Sequence, residues 1–427
     1  MKRNLARSQA LWERAQRVIP GASQSLSKGA DQFVQGVAPM FLERGQGAHV
    51  WDVDGNEYID YMMALGPVVL GYAIPEVNAA VAEQMAKGMQ FSLPHSIEVE
   101  VAELLTAVVP CAEMVRFGKN GSDVTAGAIR LARTVTGRDL VAVCGYHGWQ
   151  DWYIGSTCRH RGVPAATRAL THKFRYNHRE DLEGLFVDHP RGFAAVILEP
   201  VHGEEPRDGF LDWVAALTKA HGAILVFDEV KTGFRCGLGG AHAYYGIKPD
   251  LACFGKAIAN GMPLSALVGR RDIMSELRDV FFSFTAGGET LSLAAALATI
   301  HILQETDALA RIWRAGAILR DGYNTLAQEA GLAAFTRCEG LPPMTVTSFK
   351  NADGEESALV RSLFQQEMLD RGILYDDGHV MCAAHSDEDL NRTFEACRAA
   401  LTIVGQALGD GDIRRRVRGI PIQPLAL

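Results

Sequence analysis

Four short runs constrain this chain most: LVAVCG (140–145), AAVILEP (194–200), AILVFDE (223–229) and ALVG (266–269). Each is apolar at successive positions rather than alternate ones. A strand with that pattern is buried on both faces, as in a parallel sheet covered by helices. Helical patterns separate the runs, so the middle of the chain reads as one large α/β domain.

The flanks read differently. Ser8–Val18 places Leu11, Trp12, Ala15 and Val18 on one helical face, and Pro20-Gly21 stops it. Asp54-Gly55 within HVWDVDGNEYIDY (49–61) lies between β-prone segments and predicts a hairpin. Pro75–Lys87 predicts a helix with proline in its first turn and Gly88 past its end. A long helical stretch follows Leu291, then a mixed α+β tail. The expected division is a large, mostly parallel-sheet domain over 66–305 and a smaller α+β domain built from 1–65 and 306–427.

Composition narrows the function classes. A chain of 427 residues has room for two or three domains. Its net charge of −8 argues against nucleic acid as the main partner. No apolar run approaches the ~18 residues of a membrane span, and the charged start MKRNLARSQ is unlike a secretory signal. The eight cysteines are scattered without CxxC spacing, which predicts neither a metal site nor a redox motif. A reducing cytoplasm is the expected setting.

The chemistry begins at Asp228-Glu229, which ends the run AILVFDE. In an open α/β sheet the carboxyl ends of strands face the ligand crevice. An acid there can hold a ring-nitrogen proton, or simply cap the next helix. Lys256 follows by 256 − 228 = 28 positions, after apolar Leu251, Ala252, Cys253 and Phe254. A lone lysine is usually a surface charge. Among apolar neighbours its pKa falls and the neutral amine becomes nucleophilic. Such a lysine and an aspartate for a ring nitrogen are the pair that pyridoxal 5'-phosphate (PLP) chemistry requires.

A phosphate needs a cradle. GKNGS (118–122) precedes the helical pattern DVTAGAIRLAR, and small residues at a helix start present free N–H groups to an anion. A plain N-cap by Ser122 or Asp123 is the alternative. GKNGS lacks the Walker pattern, which weighs against an ATPase. Tyr146, after the run LVAVCG, can lie against a planar ring. The loop FTAGGET (284–290) is a second possible phosphate contact.

In their order these motifs resemble the class III aminotransferases, a fold-type I PLP family, and within it the glutamate-1-semialdehyde aminomutase branch. WDVDGNEYIDY, YHGW, ILEPV, VFDEVKTGFR, PDLACFGKAIANGMP and TAGGETLS carry the resemblance over nearly the whole chain. It implies that Lys256 is the Schiff-base lysine and proton shuttle and that Asp228 binds the pyridine nitrogen. Val230 and Tyr146 would flank the ring, and Gly121 and Ser122 would hold the phosphate. Thr285 would reach the phosphate of a second subunit, and Glu199 would lie near the ring hydroxyl. A homodimer with shared sites, a small-molecule amino donor and a keto or aldehyde acceptor are implied. An aminomutase, a decarboxylase or racemase, and an inactive PLP-binding homologue are the alternatives.

Two segments depart from the aminomutase pattern. SQSLSKG places Lys28 where that branch carries an arginine for the substrate carboxylate, and a lysine lacks the bidentate fork. LYDDGHVMCAAHS is shorter and carries Asp376, Asp377 and His379. These groups suggest a polar site for a sugar-like acceptor, with Lys28 and His379 as substrate contacts. The alternative is a solvated turn. The arginines 414, 415, 416 and 418 read as a terminal arm or as a contact for an anion or a second subunit.

Overall fold

The computed structural model describes residues 3–423. Among them the chain forms two compact units, one reaching to Ile74 and resuming at Ala310, the other spanning Pro75–Leu309. No helix among the described residues is long and apolar enough to cross a membrane.

The terminal unit opens with the helix Ala6–Ala15 and the strands β1 (Leu42–Gln46), β2 (His49–Asp52) and β3 (Glu57–Asp60). β2 and β3 pair antiparallel around Gly55, which has φ +87°, so the Asp54-Gly55 hairpin forms as expected.

The central unit holds seven strands: β4 (Met114–Gly118), β5 (Leu140–Cys144), β6 (Thr171–Lys173), β7 (Phe193–Leu198), β8 (Ile224–Asp228), β9 (Leu251–Phe254) and β10 (Ser265–Gly269). Their order in the sheet is β4-β10-β9-β8-β7-β5-β6. From β6 through β9 every pairing is parallel. β10 is antiparallel to both neighbours, so the run ALVG is an exception within a mostly parallel sheet. Burial on both faces makes either direction read alike in sequence.

The successive apolar residues divide between two cores. Val141, Val143, Ala195, Ile197 and Val226 pack with Val124, Ala128 and Leu131 of the helix Gly121–Thr136 on one face. Ala142, Cys144, Val196, Leu198, Leu225 and Phe227 pack with Phe186, Phe210 and Val214 on the other. All six residues of β7 and all five of β8 are buried. This period-2 division explains the unbroken apolar runs.

The terminal unit is completed by the pair β11 (Thr336–Glu339) and β12 (Val346–Phe349), and by β13 (Ile373–Leu374), which adds parallel to β3. Two of its C-terminal arginines form ion pairs within the unit. Arg416 pairs with Asp410 and Asp412, and Arg418 with Asp370.

Candidate active site

Because β5, β7, β8 and β9 run parallel and adjacent, their carboxyl ends share one edge. Tyr146 lies two residues past β5, Glu199 one past β7, Asp228 ends β8, and Lys256 lies two past β9. Sheet order therefore gathers groups scattered over 110 positions (256 − 146) of chain.

Lys256 starts a short 3-10 turn, Lys256–Ala259, with φ +45°. A non-glycine residue in that region costs roughly 1–2 kcal/mol, and such strain gathers at functional sites. Burial pushes its ammonium pKa down, and neighbouring Lys231 adds to the shift, while Glu199 and Asp228 oppose it. The neutral amine is a nucleophile and a proton acceptor.

Asp228 is buried. Its Oδ1 accepts the Val230 N–H (3.1 Å), and its Oδ2 accepts the Nδ1–H of His147 (2.8 Å). Burial raises its pKa, and the His147 contact works against that rise. His147 is itself buried, and its Nε2 has no hydrogen-bond partner among the described residues. A buried carboxylate supported this way suits a cationic ring nitrogen.

Glu199 lies against Gly145, where an added Cβ would come within 2.8 Å of its Oε2. Burial opposes its charge, but the His202 hydrogen bond and the Lys231 charge hold its pKa below the ordinary value. Glu229, beside Asp228, turns away into the fold. It accepts the N–H groups of Ala241 (2.9 Å) and His242 (2.7 Å), which anchors the loop after β8.

Gly121 and Ser122 open the helix Gly121–Thr136, where the first N–H groups have no intrahelical acceptor. Asp123 caps the turn by accepting the N–H of Asn120 (2.7 Å). A Cβ on Gly121 would come within 2.8 Å of Val230, so glycine keeps this helix end open beside the strand-end residues. The open helix end, the desolvated lysine and the His147-supported Asp228 fit PLP: one end for its phosphate, one amine for its carbonyl, one acid for its ring nitrogen.

The class III aminotransferase model matches residues 32–384. The chain belongs to the class III aminotransferase family. It is similar to the 3-aminobutyryl-CoA aminotransferase of Cloacimonas acidaminovorans, 36% identical over 95% of this chain and 99% of that one. It is also similar to a glutamate-1-semialdehyde 2,1-aminomutase of Roseiflexus castenholzii, 38% identical over the same shares. Among solved structures, the FumI protein of Sphingopyxis sp. MTA144 in its PLP form superposes with a TM-score of 0.87. It is 33% identical, with 94% of this chain and 97% of that one covered. This class III aminotransferase thus has a fold-type I architecture, uses PLP, and moves an amino group from an amino donor to a keto or aldehyde acceptor.

The remaining expected residues fall in different places. Tyr146 is half exposed, edge-on to Tyr153 (5.6 Å between centroids), and Val230 is partly buried. Thr285 is exposed, and its carbonyl accepts a hydrogen bond from Gln90. In the terminal unit, Lys28 is exposed and lines a cavity of about 480 Å³ with Asp60, Tyr72 and mostly apolar walls that include Phe33, Met40 and Leu65.

His379 is a correction. It is buried in the terminal unit, with Nδ1 on Thr345 Oγ1 (3.0 Å) and its ring against Tyr61 and Tyr375. Burial drives its pKa down to about 3, as expected of a core histidine with no open edge for substrate. Nearby Asp376 is pushed up to about 7 by burial and by Asp377. Asp377 is exposed and lies 3.8 Å from Arg361. His379 is therefore not available as the substrate contact expected of it.

His147 and His202 were not singled out by sequence reasoning. YHGW displayed His147, but its partner lies 81 positions away and only sheet order joins them.

Proposed function

We propose that the enzyme takes its amino donor and its carbonyl acceptor in two successive half-reactions on the strand-end site. PLP, when bound, supplies an electrophilic carbonyl and an electron sink. Lys256 would hold the cofactor through its side-chain amine and, as a neutral amine, would take and return the proton of the substrate carbon. Asp228, steadied by His147, would keep the ring nitrogen protonated. Gly121 and Ser122 would bind the phosphate, with Val230, Tyr146 and Glu199 as the further residues of the cofactor site. The observation that carries this reading is the convergence of Lys256, Asp228 and Glu199 on one sheet edge.

A separate donor distinguishes this reading from an intramolecular aminomutase. The similarity to an aminomutase supports that second reading, and Lys28, where the aminomutase pattern carries an arginine, weighs against it. The ligand class that suits the Lys28 cavity is a chain with an apolar body and one anionic end. Incubation of the holoenzyme with single amines tests the first half-reaction by absorbance. Conversion with stoichiometric release of a carbonyl product supports a transaminase. Turnover of glutamate-1-semialdehyde without an external donor would overturn it.

The proposed assembly is a homodimer in the cytoplasm. Support comes from exposed Met89, Phe91, Leu93, Val99, Phe281 and Phe284 of the central unit, on two segments joined by the Gln90–Thr285 hydrogen bond. Exposed apolar side chains gathered together mark interaction sites. Thr285 lies in the same segment as Phe281 and Phe284, which suits the role proposed for it at a second subunit's phosphate. All eight cysteines are free, seven of them buried, in keeping with a reducing setting. Light scattering on a size-exclusion column tests the dimer, and a monomer at micromolar concentration would exclude it.

A further inference from the structure

Glu199 is held by a residue to which nothing above assigns a part in the reaction. His202, three positions on, places Nδ1 in a hydrogen bond with Glu199 Oε2. The carboxylate is buried, whereas the imidazole is about half exposed, at 48%. The pair thus reaches from the strand-end edge to solvent.

The surroundings fix this arrangement from several sides. Glu199 lies against Gly145, the residue before Tyr146. The Tyr176 hydroxyl donates to the Pro200 carbonyl (2.6 Å), pinning the segment between Glu199 and His202, and its ring lies 6.4 Å from the imidazole. The neighbouring carboxylate, Glu204, is taken up by Arg207 at 2.6 Å. The imidazole of His202 is thus held by Glu199 rather than by Glu204. While the Glu199 carboxylate is ionised it can only accept, so the proton of the bond sits on Nδ1.

We infer that His202 is a positioning residue for this site, fixing the orientation and ionisation of Glu199 through Nδ1. Burial works against the charge on this carboxyl, and the His202 hydrogen bond offsets it first, with Lys231 and His147 adding to the offset. Without the imidazole, Glu199 takes up its proton at a higher pH than in the wild type. The inference rests on the aminotransferase reading of the site, but its test does not depend on turnover.

The test is a pH-difference infrared titration of the apoenzyme, with the Glu199 carboxyl band assigned by its loss in Glu199→Gln. In His202→Ala the band should titrate about one pH unit higher than in the wild type. His202→Asn places an amide N–H near the Nδ1 position and should return the band most of the way. The circular dichroism of the bound cofactor should follow the same order: altered in His202→Ala, restored in His202→Asn. An unmoved carboxyl band in His202→Ala, or a drop in melting temperature alone that His202→Asn does not rescue, would overturn the proposal.

Discussion

The sheet edge of the central unit and the Lys28 cavity of the terminal unit handle charge in opposite ways. At the edge, Asp228 and Glu199 are buried, each at the end of a strand, and each meets an imidazole. In the cavity the cation is exposed on a short 3-10 turn, Leu26–Lys28. The carboxylate there, Asp60, is already satisfied by the N–H groups of Met62 (2.7 Å) and Met63 (3.2 Å) and by the Tyr72 hydroxyl (2.7 Å). Charges that take part in chemistry are desolvated and rigidly held, because low dielectric strengthens them and strands fix their geometry. The charge proposed to select a ligand, Lys28, stays hydrated on a loop, where its loss would weaken binding rather than the reaction.

The largest expected effect lies at the edge. Lys256→Ala should abolish turnover and the absorbance of the lysine-bound cofactor, and retention of both would break the comparison at its strongest point. Asp228→Asn should keep the shape but lower kcat by roughly 10²–10³, the cost of removing one preorganised electrostatic contact. Steady-state kinetics at saturating cofactor would show it, and a change confined to KM would contradict it.

Lys28→Ala should act differently. It should raise KM for an anionic substrate by roughly tenfold or more with kcat nearly unchanged, as for a lost charged hydrogen bond. Lys28→Arg should lower KM below the wild-type value by restoring a bidentate fork. A large fall in kcat for Lys28→Ala would erase the distinction between the two regions.

The smallest effect concerns charge that only stabilises. In the terminal unit His49 bridges Asp389 (2.8 Å) and Glu57 (2.6 Å). The Asp389 hydrogen bond raises its pKa, with Glu57 adding to the shift and burial opposing it. Its stabilisation is complete below the unfolded pKa of about 6.5 and is lost as pH rises through the higher folded value. Burial works against the Asp389 charge, but the His49 contact holds that pKa down to about 2. Its contribution is present above the unfolded value and fades as pH falls toward 2. His49→Gln should lower the melting temperature by a few degrees at pH 6 and by less at pH 9, with kcat unchanged. An equal loss at both pH values would contradict this.

The same contrast governs what could be read from the sequence. The edge was legible because strands buried on both faces leave unbroken apolar runs, and Asp228 ends one such run while Lys256 follows another short apolar stretch; Glu199 entered only through the family resemblance. Gly121 was legible because a helix start before an amphipathic pattern has a local signature. His147 and His202 were not, since each acts through a contact that only the folded strand ends create. β10 was legible as a strand but not in direction. His379 was misread because a histidine beside two aspartates looks polar in sequence, whereas the terminal unit folds it among Tyr61, Tyr375 and Thr345.

The most direct measurement is borohydride reduction of the holoenzyme followed by peptide mass spectrometry. A single cofactor adduct on Lys256, absent in Lys256→Ala, is the predicted result. An adduct on Lys231 or another lysine in the wild-type protein would contradict the account.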